Sequence, residues 1–175
     1  MNDSTLCIGA DIHLKEIVLR GVDKASGQEV IERFRVTNNL PGAESAVTII
    51  NQAATSLGYT HIEIAWEATG MLWLPFHRFL ATNAILEPFD PQLVCFNPKL
   101  VAKFKEGFDL REQKDDEQDA YDIAARLRFG QLPPSYVPDD FWQGLQRNSR
   151  SRYKLSRTLS REKMRFQSIA FLKCS

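Results

Sequence analysis

Apolar positions follow two rhythms along the chain. Thr5 to Ile12 (TLCIGADI) is a short apolar run, the mark of a buried strand. Glu16 to Asp23 (EIVLRGVD) and Glu29 to Val36 (EVIERFRV) follow, separated by KASGQ. The Gly-containing turn and the alternation in VIERFRV predict an antiparallel hairpin, so three strands open the chain. From Pro41 the spacing becomes helical, GAESAVTIINQAATSL, and stops at Gly58. His61 to Trp66 (HIEIAW) predicts another strand. Gly70 to Thr82 (GMLWLPFHRFLAT) predicts a helix, with Pro75 in its first turn or at a kink. A strand around Leu93 to Phe96 leads through Asn97-Pro98 into a helix carrying LVAKF. The acidic stretch REQKDDEQDA and the apolar pattern AYDIAARLRF make the next helix, stopped by Gly130 and Pro133-Pro134. A long polar helix begins near Asp139 and runs to the end.

Three strands followed by helix, strand, helix, strand and helices describe an α/β chain with a mixed sheet. It is the element order of the ribonuclease H fold. The expected division is a globular domain over 1–138 and a helical arm over 139–175.

Composition adds that 175 residues with 43% hydrophobic and 25% charged side chains suffice for a real core. No apolar run reaches the roughly 18 residues of a membrane span, and MNDSTLCIGAD lacks the pattern of a signal peptide. Three scattered cysteines, Cys7, Cys95 and Cys174, without metal-ligand spacing, predict reduced thiols and a cytoplasmic location. The formal net charge is zero, yet residues 142–175 hold nine Lys or Arg against one acid, Glu162, which makes the arm +8 and residues 1–141 −8. Arg147, Arg150, Arg152, Lys154, Arg157, Arg161, Lys163 and Arg165 are therefore candidate contacts for a phosphate backbone. The plain alternative is an exposed helix that pairs with acidic surface. Leu145, Leu155, Leu159, Phe166 and Ile169 form a broken apolar stripe along the same arm, which fits one strand of a coiled coil and self-association, the plain alternative being a helix that packs back on its own domain.

Candidate chemistry lies in the carboxylates. Asp11 closes the first strand, and burying an ionised acid costs several kcal/mol unless something pairs with it. Glu67 closes HIEIAWE in the same way. Neighbouring first and fourth strands would bring both acids to one crevice. Each also has an ordinary explanation: Asp11 as a strand-end turn residue, Glu67 as a helix-capping acid. In the acidic helix, Ala120, Ile123, Ala124 and Leu127 define the apolar stripe. Asp116 lies roughly 30° from its centre and Asp119 roughly 90°, while Asp115 and Asp122 lie roughly 130° and 150° away and should face water. Glu117, at roughly 70°, is not excluded, although Asp116 and Asp119 are an i, i+3 pair that points together. Four acids from three elements make an oxygen-rich site suited to Mg²⁺ or Mn²⁺. His61 and His77 are expected to be structural, and His13 to lie near the site.

The motifs Gly9-Ala10-Asp11, Glu67-Ala68-Thr69-Gly70-Met71-Leu72-Trp73, Asn97-Pro98-Lys99-Leu100-Val101 and Lys114-Asp115-Asp116-Glu117-Gln118-Asp119-Ala120 resemble those of DEDD transposases of the IS-one-ten insertion-sequence family. Tyr136-Val137-Pro138 before the last helix is similar too. The resemblance spans nearly the whole chain and selects Asp116 and Asp119 over Glu117. It implies a RuvC-like, ribonuclease H-like domain of a DNA recombinase, with Asp11, Glu67, Asp116 and Asp119 as catalytic metal ligands. It also implies DNA and a structured bridge RNA as partners, and a coiled-coil start in the basic helix. A C-terminal domain bearing the strand-exchange serine is expected to be absent from these 175 residues, so Ser160 and Ser175 are not given that role. Leu14 departs from the basic residue often found there in the family.

Two other classes compete. Actin-like kinases also begin with a strand ending in G-x-D, but their Asp is followed by Gly and a Ser or Thr, where this chain has Ile12-His13-Leu14. A non-catalytic nucleic-acid module would keep the fold and the basic arm without the metal chemistry.

Overall fold

A strand covered on both faces shows no polar side, and the central strand β1 (Thr5–Ile12) is buried at five consecutive positions, Leu6 to Ala10. The computed structural model describes residues 4–108, 116–130 and 137–174. With β2 (Glu16–Asp23), β3 (Glu29–Thr37), β4 (His61–Glu67) and β5 (Gln92–Phe96), β1 forms one sheet in the order β3-β2-β1-β4-β5. The β1–β2 and β2–β3 pairs are antiparallel, whereas β1–β4 and β4–β5 are parallel. Helices α1 (Leu40–Leu57), α2 (Leu74–Ala81), α3 (Pro98–Phe108) and α4 (Asp116–Arg128) belong with the sheet to a compact unit, Met1–Ser135. The second unit, Tyr136–Ser175, consists of α5 (Asp140–Cys174) and its approach.

α1 starts where Asn39 Oδ1 accepts the Gly42 amide at 3.0 Å. It ends on Gly58, whose φ of 72° supplies the left-handed turn a side chain resists. α2 corrects the expected helix over 70–82. The helix begins only at Leu74, with Pro75 in its first turn, because Gly70 at φ 64° breaks any helix before it. A single 3₁₀ turn at Glu87–Phe89, unforeseen in the sequence, precedes β5.

α3 and α4 cover one face of the sheet. Cys7, Val22, Ala65, Val94 and Phe96 meet Val101 of α3 and Ile123, Ala124 and Leu127 of α4 in one buried cluster. The stripe expected on α4 is the buried one: Ala120, Ile123, Ala124 and Leu127 are at most 1% exposed. Its seat is Gly9. A Cβ at Gly9 would collide with the Ala120 carbonyl oxygen and come within 2.5 Å of the Ala124 amide nitrogen. Only a residue without a side chain lets the helix lie this close.

The far end of α4 is fastened at the opposite edge of β1. Arg128 Nε and Nη2 donate to the Lys24 and Ala25 carbonyls at 3.0 and 3.1 Å, and the Lys24 amide donates to Thr5 O at 3.0 Å. α4 therefore runs antiparallel to β1, with its first turn toward the end of β1 that carries Asp11. Beside this clamp the Cys7 thiol lies 3.6 Å from Glu63, which Lys24 neutralises. Burial first, and the Glu63 carboxylate next, push the Cys7 thiol up to about 12. Cys7 and Cys95 are free thiols, and the Cys174 side chain lies outside the described set. Among the described residues no helix is long and apolar enough to cross a membrane.

Replacing Gly9 by Val should displace α4 and destabilise the fold by about 3 kcal/mol, at the upper end of overpacking costs. Urea unfolding followed by circular dichroism checks this. A cost below about 1 kcal/mol would mean that α4 is not held against β1 at this point.

Candidate metal centre

The parallel register of β1 and β4 pairs Cys7 with Glu63, Gly9 with Ala65 and Ala10 with Trp66. Asp11 and Glu67 are the next residues on their strands. Side chains alternate along a strand, so both belong to the face that Gly9 and Ala65 present to α4. Adjacent strands are about 4.8 Å apart, and the two acids stand side by side at the sheet's carboxyl end. Two strand residues separate Gly9 from Asp11, a rise of about 6.6 Å, and four helical residues separate Ala120 from Asp116, a rise of about 6 Å. The first turn of α4 thus comes level with Asp11.

Asp11 is 18% exposed and takes a hydrogen bond from His13 Nε2 at 2.8 Å. His13 is thereby a neighbour of the acid, as its spacing suggested. Glu67 and Asp119 are half-buried. The helix-capping explanation for Glu67 does not hold, since residues 68–73 separate it from α2. Instead the chain leaves β4 by a turn in which the Ala68 amide donates to Phe96 O and the Thr69 amide to Glu67 O, both at 2.8 Å. The side chains of Asp116 and Glu117 lie outside what the structure describes, as do Glu112, Lys114 and Asp115. Asp122 corrects its expectation: it is half-buried and accepts from Gln118 Nε2 at 2.9 Å, an i, i+4 contact that draws it out of solvent.

Asn38 was missed by sequence reasoning. Its Nδ2 donates to His13 O at 2.8 Å and to Leu72 O at 3.3 Å, tying together the loops that follow Asp11 and Glu67. No periodicity or spacing marks such a residue. Behind the site, Trp66 stacks on Trp73 at 6.1 Å, and His77 lies against both rings at 5.4 and 5.9 Å. His61 bonds to Thr60 at 3.0 Å, and both histidines are part of the scaffold.

Carboxylate oxygens are the ligands a hard divalent cation takes, so Asp11, Glu67 and Asp119 fit such an ion in donor chemistry. Among the described residues, which leave out the Asp116 side chain, no three His, Cys, Asp or Glu groups stand together as a complete ligand set.

The model of the transposase family designated DEDD, IS110 type, matches residues 8–172. The chain belongs to that family. Its fold is RuvC-like, of the ribonuclease H class. Thermus thermophilus RuvC superposes with a TM-score of 0.50 at 12% identity, covering 74% of this transposase and 99% of RuvC. RuvC from T. thermophilus in complex with a Holliday junction substrate scores 0.48, with the same identity and coverage. An Aquifex aeolicus member of the Ppx/GppA family scores 0.36 at 8% identity, over 58% of this chain and 38% of that one. At such identities the 0.50 likeness speaks for the fold alone. No curated protein matches the transposase.

His77 is held below its ordinary value of 6.5, mainly because burial disfavours the imidazolium and secondly because Arg78 repels it. The unfolded chain takes up this proton near 6.5 and the folded chain only at lower pH. The stability is therefore full above 6.5 and falls as pH drops toward the lowered value. Urea midpoints at about pH 7.5 and about pH 5.5 should differ more for the wild type than for His77→Phe. Equal differences would remove His77 from the acid response.

Proposed function

We propose that the chain is the metal-dependent, DNA-acting domain of its transposase, with Asp11, Glu67, Asp116 and Asp119 as cation ligands. The observation that carries the reading is the placement of Asp11 and Glu67. They stand one register step beyond the Ala10–Trp66 pair, on the face where α4 begins. Mg²⁺ or Mn²⁺ bound by such acids would activate an attacking oxygen and stabilise the leaving one at a DNA phosphodiester. His13 has a positioning role in this reading. Its hydrogen bond to Asp11 at 2.8 Å would orient the carboxylate toward a bound cation.

The rest of the reading concerns partners. The exposed basic residues of α5, from Arg147 to Arg165, would hold phosphates of DNA and of a structured bridge RNA without reading sequence. Membership of a transposase family supports DNA as the partner. The RNA rests on the family resemblance alone. Leu145, Leu155, Leu159, Phe166 and Ile169 are all exposed along α5, which supports self-association through this helix.

Calorimetric titration with Mg²⁺ and Mn²⁺ tests the metal reading. Asp11→Asn and Asp116→Asn should each weaken binding at least about tenfold, the scale already reached by losing an outer-shell partner, whereas Glu117→Gln should not. Equal, weak binding by the wild type and Asp116→Asn would discard the metal site and leave a non-catalytic nucleic-acid module.

A further inference from the structure

We propose that two copies of this chain pair through α5 in antiparallel orientation, with Arg152 of each copy set against Glu162 of the other. The proposal rests on the reading that α5 self-associates and adds the direction and register of the pair.

From Leu145 onward, steps of three and four residues alternate through Asn148, Arg152, Leu155, Leu159 and Glu162, then continue to Phe166 and Ile169. This is the seam of a heptad repeat. It is laid open on the helix: the apolar members are exposed, and a groove along it is lined by Arg152, Leu155, Ser156 and Leu159. Arg147, Arg150, Lys154, Arg157 and Arg161 fall on the two outer positions of the same heptad. The repeat therefore separates a pairing face from a basic face. It also divides the candidate phosphate contacts, because Arg152 belongs to the seam.

Charge decides the direction. In a parallel, in-register pair every seam residue meets its own copy, so Arg152 would face Arg152 and Glu162 would face Glu162. Like charges in a seam oppose association. In an antiparallel pair centred on Arg157, Leu155 meets Leu159, Leu145 meets Ile169, and Arg152 meets Glu162. Glu162 is the one acid in residues 142–175, and this arrangement sets it against the one cation of the seam between Leu145 and Ile169. Within one copy, Glu162 pairs with Arg165 at 2.8 Å, but both side chains are more than half exposed and the pair is worth little. Glu162 is thus available for exchange. At the centre of the pair, Ser156 would face Ser156 and Thr158 would face Thr158, so two strongly basic helices approach there through small neutral residues.

The test is sedimentation equilibrium on the full 175-residue chain. Arg152→Glu and Glu162→Arg should each weaken the dimer at least about tenfold, and the double variant should recover it to within about threefold. Circular dichroism keeps folding in view. Orientation is read separately by oxidative cross-linking in a Cys174→Ser background. Ser156→Cys should cross-link, whereas Asn148→Cys should not, because the two thiols would lie roughly 27 Å apart along the axis. A dimer in which the double charge swap fails to rescue, or in which Asn148→Cys cross-links efficiently, overturns the antiparallel register while self-association stands. A wild type that stays monomeric at about 100 µM, far above the micromolar range of weak specific pairs, discards both.

Discussion

The candidate site depends on one close approach, that of α4 to the bare backbone at Gly9. The Ala120 carbonyl and the Ala124 amide occupy the space a side chain would take. With the helix seated there and Arg128 fastened at the opposite end of β1, both the direction and the height of α4 are set. Its first turn can then rise only to the level of Asp11. The acids of the sheet are fixed by a different rule, since parallel pairing of β1 and β4 brings Asp11 and Glu67 to the same end of neighbouring strands. One steric contact and one hydrogen-bond register together determine the geometry.

Most of the architecture was legible because its physics is local. β1 is apolar from Leu6 to Ala10 because both its faces are covered there, and the stripe Ala120, Ile123, Ala124 and Leu127 reads as buried because it is. The sheet order required only that the first and fourth strands be neighbours, and they are. What escaped the sequence is non-local or depends on a backbone angle. Gly70 takes φ 64°, which delays α2 to Leu74 and removes Glu67 from any helix end. Asp122 looked solvated on a wheel, yet Gln118 one turn earlier holds it. Asn38 joins two loops from a third, which no spacing reveals. Gly9 was visible as part of a motif, but its reason, the space it leaves for α4, is a fact of packing.

Charge is divided along the chain, −8 over residues 1–141 and +8 over 142–175. The separation has a chemical logic for the action on phosphodiesters proposed above. Clustered carboxylates repel a polyanion until cations neutralise them, and a basic helix supplies attraction that needs no metal. The heptad pattern on α5 refines this division, since it keeps five basic residues on the side away from the apolar seam.

Anomalous diffraction from crystals soaked in Mn²⁺ would test the central claim most directly. The account predicts a peak at about 2.2 Å from carboxylate oxygens of Asp11 and Glu67, with a further ligand from the first turn of α4. A Mn²⁺ bound by Asp11 and Glu67 with no ligand from α4, or bound elsewhere on the unit, would contradict it.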